Sequence, residues 1–481
     1  MRSSTGRPRE LVLLGAGLVL LGAYVFQNMD LLADSFWYVA TGRFVLDGKG
    51  FPAVDPFAFS AVKSRWIVHM PASVVLFAWL DRHAGLSSLI VVSALVETCA
   101  LGTLWLRAAR SFAGRVAVFP LVLFAVYLQR DDLCARGQVF GDLAFVATLV
   151  LVRRLRKGQA VSFVVAPILG ALWVNFHSSF ALGVIVPAIA AVSLLFEPRN
   201  ERGPLPSLLI FGATLGLGTL LNPYGWGLVR DVFALATHPT TLRQQLFMPP
   251  DFGRVDTLVA FGLGACALGA RREGKVVLAP ADMLLVVLLA TAAASGVRYL
   301  PYVVYVSIFS LAPAFDSYAT EIVKRYQRRS DLAIFPAAAL ALAATLFALR
   351  GPKDPFAHVP IAAANFVKAH PPDGNVLNDY HSGGFLLYVW EGHPKVFIDG
   401  RSYLYFNGVF EDAETLARVA PGYEALLDAY DAKTAVLEKG SPLAVALVER
   451  QRWKPIFEDR LAVVLERPSA APIAPSQKGL P

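Results

Sequence analysis

Two acidic residues stand just beyond the first apolar run of this 481-residue chain. Asp34 lies in Asp30-Leu31-Leu32-Ala33-Asp34-Ser35-Phe36-Trp37-Tyr38, and Asp55 in Asp55-Pro56-Phe57-Ala58-Phe59-Ser60. A carboxylate so placed can take the proton of a hydroxyl as that hydroxyl attacks an electrophile. Arg136, His177 and Arg298 each fall at the end of an apolar run, and donors of this kind stabilise an anion that forms as a bond breaks. His69, Asn175, Asp399 and Arg401 complete the candidates. Each has an ordinary alternative. Asp34 can be an interfacial charge, although Asp30 already suffices as a helix cap. Asp55 before Pro56 can serve a turn, His69 can be a hydrogen-bonded loop histidine, and Arg298 can snorkel. Asp399-Gly400-Arg401 can be a turn with an ion pair. Asn175 and His177 at a span end are costly to leave in lipid, which favours a polar cavity. Asn222-Pro223-Tyr224-Gly225 reads as a helix stop.

The elements that must position these residues cross a membrane. Hydrophobic residues make up 56% and charged residues 17% of the chain, and the mean hydropathy is +0.52, far from a soluble average. Apolar runs long enough to span recur from Leu11 to Leu349. They predict about 11 transmembrane helices, near 11–28, 87–106, 112–128, 138–152, 161–175, 178–196, 205–221, 255–270, 276–294, 299–316 and 332–349. With the N-terminus cytoplasmic, the inner loops collect the basic clusters, among them Arg107, Arg110 and Arg115, and Arg153, Arg154, Arg156 and Lys157. The same threading makes Trp66–Leu80, interrupted by Pro71, a re-entrant or interfacial helix. Lys and Arg in short clusters between spans, rather than on one patch, exclude a nucleic-acid partner despite the net charge of +8. The 3 cysteines suggest no disulfide framework.

Domain organisation follows. Residues 1–349 form a multispan domain with a long first outer loop, 29–86, in which residues 36–46 have helical spacing with Trp37 and Tyr38 as a membrane belt. After the breaker-rich Gly351-Pro352-Lys353-Asp354-Pro355, residues 350–468 read as an extracytoplasmic α/β domain, and 469–481 as a disordered tail. Its predicted strands are 375–377, 395–398, 434–437 and 461–465, separated by helices near 358–369, 411–419, 421–429 and 442–451.

Asp34-Ser35-Phe36-Trp37-Tyr38-Val39-Ala40-Thr41-Gly42-Arg43, the Asp55–Ser60 stretch, Trp173-Val174-Asn175-Phe176-His177, Asn222-Pro223-Tyr224-Gly225 and Phe397-Ile398-Asp399-Gly400-Arg401 with Tyr405 resemble a family of bacterial polytopic proteins related to the GT-C glycosyltransferases. The resemblance implies a multi-pass protein of the bacterial inner membrane with an outer C-terminal α/β domain. It implies transfer of a sugar from a polyprenyl-phosphate-linked donor to an envelope acceptor, with Asp34 or Asp55 as base and Arg136, His177 and Arg298 on the phosphate. Membrane lipid is the surrounding partner, an apolar groove would hold the donor tail, and a divalent metal stays open as a cofactor. Two departures remove acidic residues: His69-Met70 replaces the family's His-Glu, and Gln244-Gln245 stands where Glu-Trp is frequent. These favour the alternative of a non-enzymatic membrane component whose outer domain binds a glycan or a protein. A transporter predicts polar residues at the bilayer midplane and repeated halves, whereas the span interiors read as almost uncharged.

Overall fold

The computed structural model describes residues 6–61, 65–197, 204–242, 249–269, 280–325, 354 and 356–468. Contacts divide the chain into two units, one of Met1–Leu31 with Ile67–Asp354 and one of Leu32–Trp66 with Pro355–Pro481. Residues 29–86 are therefore split: the larger part, Leu32–Trp66, belongs with the C-terminal residues.

The first unit is helical. Helix α1 (Gly6–Asn28) is followed, after the second unit's α2 (Ala33–Phe44), by α3 (Pro71–Ala84), α4 (Ser87–Ala108), α5 (Phe112–Gln129) and α6 (Gln138–Arg156). Next come α7 (Val165–Phe176), α8 (Ala181–Ser193), α9 (Leu205–Gly218), α10 (Trp226–Ala236) and α11 (Pro239–Leu242), then α12 (Val255–Gly269), α13 (Pro280–Ser295) and α14 (Leu300–Arg325). Helices lie at every span expected from 11–28 to 299–316, while 332–349 is outside the described residues. Among the described residues five helical stretches are long and apolar enough to cross a membrane: Glu10–Asn28, Ser87–Ala108, Phe112–Gln129, Ser178–Phe196 and Val297–Ile322. Four shorter apolar helices accompany them.

Apolar residues occupy outer faces as well as the core. Leu11, Val19, Leu95, Leu172, Leu217 and Leu258 are exposed while Leu21, Leu104, Val122 and Phe145 are buried, the distribution expected where lipid rather than water surrounds a bundle. Helix ends follow local chemistry. Ser111 caps α5 by accepting from the Gly114 N–H at 2.9 Å, and Pro71 starts α3, where its missing N–H costs nothing. The exit of α1 is pinned by Asp30 N–H to Leu133 O (3.1 Å) and Ala135 N–H to Asp30 O (2.9 Å), which sets where Arg136 begins.

The second unit contains α2 with α15 (Ile361–Ala369), α16 (Tyr380–Trp390), α17 (Val409–Ala417), α18 (Tyr423–Ala429) and α19 (Pro442–Glu449). Its four strands are β1 (Asn375–Asn378), β2 (Ala432–Glu438), β3 (Lys454–Glu458) and β4 (Ala462–Glu466), in sheet order β1-β2-β4-β3. Strand β1 runs parallel to β2, and both other pairings are antiparallel. Three predicted strands appear. Lys395–Ile398 does not: its apolar run is buried beside residues 57–59, meeting them in a single bridge. The missed helix α16 contains Gly383-Gly384, which reads as a breaker. A Cβ on Gly383 would come within 2.0 Å of the Ile398 carbonyl, and one on Gly384 within 2.3 Å of the Ala33 carbonyl, so these glycines allow α16 to pack closely. Phe36 sits on Phe385 at 5.0 Å, edge to face. Trp37 and Tyr38, expected as a membrane belt, are instead buried in this unit.

Candidate active site

In the second unit, the two leading carboxylates have different fates. Asp55 is fully buried. Its Oδ1 accepts from Arg401 Nη1 at 2.6 Å and its Oδ2 from the Ala58 N–H at 3.0 Å. Arg401 also holds Asp399 through Nε (2.8 Å) and Nη2 (2.6 Å), and the Tyr405 hydroxyl donates to the same carboxylate at 2.7 Å. The guanidinium lies over the Trp66 ring, 4.6 Å from its centroid. Burial drives the Asp55 carboxyl above its ordinary value in spite of Arg401. Burial opposes the charge on Asp399 too, yet Arg401 and Tyr405 outweigh it and hold that carboxyl below the usual range. This is a closed ion-pair network, not a carboxylate open to a substrate.

Asp34 is placed differently. It lies in the first turn of α2, where the helix N-terminus favours negative charge, and is only half-buried. Its Oδ1 accepts from Trp37 Nε1 at 2.9 Å, which fixes the orientation of the carboxylate. A Cβ on Gly400 would approach that oxygen to 3.0 Å, so the Asp399-Gly400-Arg401 turn passes directly beside Asp34. Burial and the Asp34 charge push the neighbouring Tyr380 phenol above its ordinary value, which keeps it protonated.

The first unit gathers the cationic candidates. His177 sits at the break between α7 and the following short helix, with Arg298 and Arg136 close enough for their charges to act on it. Its Nδ1 accepts from the Ser179 N–H at 3.3 Å and lies 2.8 Å from Ser179 Oγ, itself an acceptor for Trp173 Nε1 at 3.0 Å. An accepting Nδ1 places the imidazole proton on Nε2. Burial, reinforced by Arg298 and Arg136, pushes the His177 pKa down to about 3 and keeps the ring neutral. Arg136 is oriented by Asp132 and Gln138, each 2.6 Å from Nη2. Asn175 donates to the Ala171 and Leu221 carbonyls, both at 2.7 Å, and so ties α7 to the segment after α9. Asn222 Oδ1 accepts from the Tyr224 N–H at 2.8 Å, the side-chain turn that ends α9's run.

The neutral His177 gives a pH test. Below about pH 6.5 an unfolded imidazole takes a proton that the folded ring refuses down to about pH 3. Stability present at neutral pH is therefore lost as pH falls through that window. His177→Gln should flatten this part of the melting-temperature profile, and an unchanged slope would show that other groups carry it.

Sequence reasoning missed Asp231, Glu97 and Asp142. His69 Nε2 meets Asp231 Oδ2 at 2.7 Å, with Asp231 on α10 half exposed, so a distant carboxylate stands where Met70 cannot supply one. Residues Gln244 and Gln245 lie outside the described residues. Within the span interiors, Glu97 and Asp142 are buried, hydrogen-bonded to Tyr305 (3.2 Å) and Tyr302 (2.8 Å). A lone Glu97 in the apolar run 87–106 was the available signal. Among the described residues no group of three or more His, Cys, Asp and Glu side chains could hold a metal ion.

No family model and no curated protein sequence matches the chain. Solved structures do. The archaeal oligosaccharyltransferase AglB from Archaeoglobus fulgidus, in complex with an inhibitory peptide and a dolichol-phosphate, superposes with a TM-score of 0.59 at 12% identity, over 91% of this chain and 70% of that one. ArnT from Cupriavidus metallidurans, bound to undecaprenyl phosphate, gives 0.53 at 12% identity over 96% of this chain and 98% of its own. The shared feature is the fold: a mainly α-helical, multi-pass membrane protein with a small α/β unit.

Proposed function

We propose that this chain transfers a sugar from a polyprenyl-phosphate donor to an envelope acceptor at the outer face of a bacterial inner membrane, its N-terminus cytoplasmic and its C-terminal unit outside. The observation that carries this reading is the state of Asp34: half-buried and oriented by Trp37, while Asp55 is closed off by Arg401. Asp34 takes the proton of the acceptor hydroxyl as its oxygen attacks the anomeric carbon. The bond from that carbon to the donor phosphate breaks, and the electron pair leaves on the lipid phosphate. Arg136 and Arg298 stabilise the added charge, and neutral His177 donates its Nε2–H to a phosphate oxygen. Asp399 and Arg401 position the turn beside Asp34 rather than touch substrate. The AglB and ArnT structures hold dolichol-phosphate and undecaprenyl phosphate, respectively, which supports this donor class. The non-enzymatic alternative drew on the acidic residue absent at Met70, and the Asp231 carboxylate on His69 weakens that argument.

Mass spectrometry of lipids copurified with the protein tests the donor. A polyprenyl phosphate is expected, and Arg298→Ala should retain several-fold less of it, since a lost cation acts on the phosphate before and during reaction. Extracts that never contain such a lipid would favour the glycan- or protein-binding reading.

A further inference from the structure

Arg136 precedes α6, and the other end of that helix lies roughly 28 Å away at 1.5 Å per residue. There, a cavity of about 750 Å³ opens between α4, α6 and α14. Arg107, Arg110, Arg153, Arg154 and Lys157 line it, with Asp316 as its one acidic neighbour among the lining residues. Asp316 holds the turn before α5 and forms no ion pair with these cations among the described residues. Its Oδ2 accepts from the Arg110 N–H at 2.7 Å, and its Oδ1 from the Ser111 N–H (3.0 Å) and hydroxyl (2.7 Å). Arg153 is paired with Asp282 at 2.8 Å. Arg107, Arg110, Arg154 and Lys157 have no ion-pair partner among the described residues. Partial burial, with the nearby Arg110 and Arg153, lowers the Lys157 ammonium from its ordinary value in spite of Asp282. Basic residues in an inner loop suffice to orient a membrane protein, but that role does not require them to converge on one cavity.

We propose that this cavity binds an anion carrying clustered phosphate groups, as an acidic phospholipid headgroup or a soluble polyphosphate does. The volume falls within the range of small-ligand sites, and basic pockets between membrane helices suit phosphate-bearing headgroups. The site is separate from the proposed transfer chemistry, because it lies at the opposite end of α6 from Arg136.

The test uses full-length protein in nanodiscs of phosphatidylcholine, with or without cardiolipin, and separately in detergent with sodium pyrophosphate. Cardiolipin should raise the melting temperature of the wild type. The triple variant Arg107→Gln, Arg110→Gln, Arg154→Gln should need roughly 10²-fold more of it, at about fivefold per cation. The three Arg→Lys replacements should retain binding, and Arg107→Gln alone, about a fivefold loss, serves if the triple variant does not fold. A shift with pyrophosphate that the triple variant loses would support the site and assign it to a soluble anion. No shift with either probe, or equal shifts in wild type and the glutamine variants, overturns the proposal.

Discussion

Asp34→Asn should lower sugar transfer per mole of folded protein by roughly 10²–10⁴-fold, the range that acid–base catalysis commonly supplies. Asparagine is nearly isosteric and its side-chain oxygen can still accept from Trp37 Nε1, so fold and donor binding should persist. What is lost is a group able to hold the acceptor's proton. A structural Asp34 gives another pattern, in which the melting temperature falls and turnover per folded molecule stays intact. Measuring both on one preparation separates the two. Intact turnover would remove Asp34 from the mechanism, and Asp55 offers little replacement, because both its oxygens are engaged by Arg401 and backbone N–H groups.

Arg401→Met should be the most damaging single change in the second unit. It strands two carboxylates, Asp55 and Asp399, whose side chains are both 0% exposed. Breaking a buried pair commonly costs about 3–5 kcal/mol. Replacing Asp55, Asp399 and Arg401 together with apolar residues of similar volume should cost far less, since no unpaired charge is left behind. Denaturation midpoints of the single and triple variants decide between them: equal losses would mean that Arg401 acts through packing on Phe57 and Trp66 rather than through charge.

Residue type and spacing revealed what depends on near neighbours. Apolar runs announce the helices of the first unit, and short β-branched runs announce β2 and β4. Partners far apart in sequence left no such trace. Nothing near Asp55 signals an arginine 346 residues onward, and nothing near His69 signals Asp231, 162 residues away. Composition also misled where burial decided the outcome. Trp37 and Tyr38 have the character of an interfacial belt, but α16, disguised by Gly383-Gly384, packs on α2. Lys454-Pro455 hid β3, an edge strand that tolerates proline. Asp34 was legible as a carboxylate after a span, whereas its accessibility beside a closed Asp55 was not.

The second unit draws on two stretches far apart in the sequence, Leu32–Trp66 and Pro355–Pro481. Ribosomes adding about 5–20 residues per second need roughly 20–70 s to travel from Asp55 to Arg401. Through that interval the segment carrying Asp34 lacks α16 to cover Phe36 and lacks Arg401 to balance Asp55. The carboxylate proposed as the base therefore reaches its working surroundings only when residues 380–401 have been made. A chain cut short after its membrane helices carries Asp34 without the turn that lies beside it.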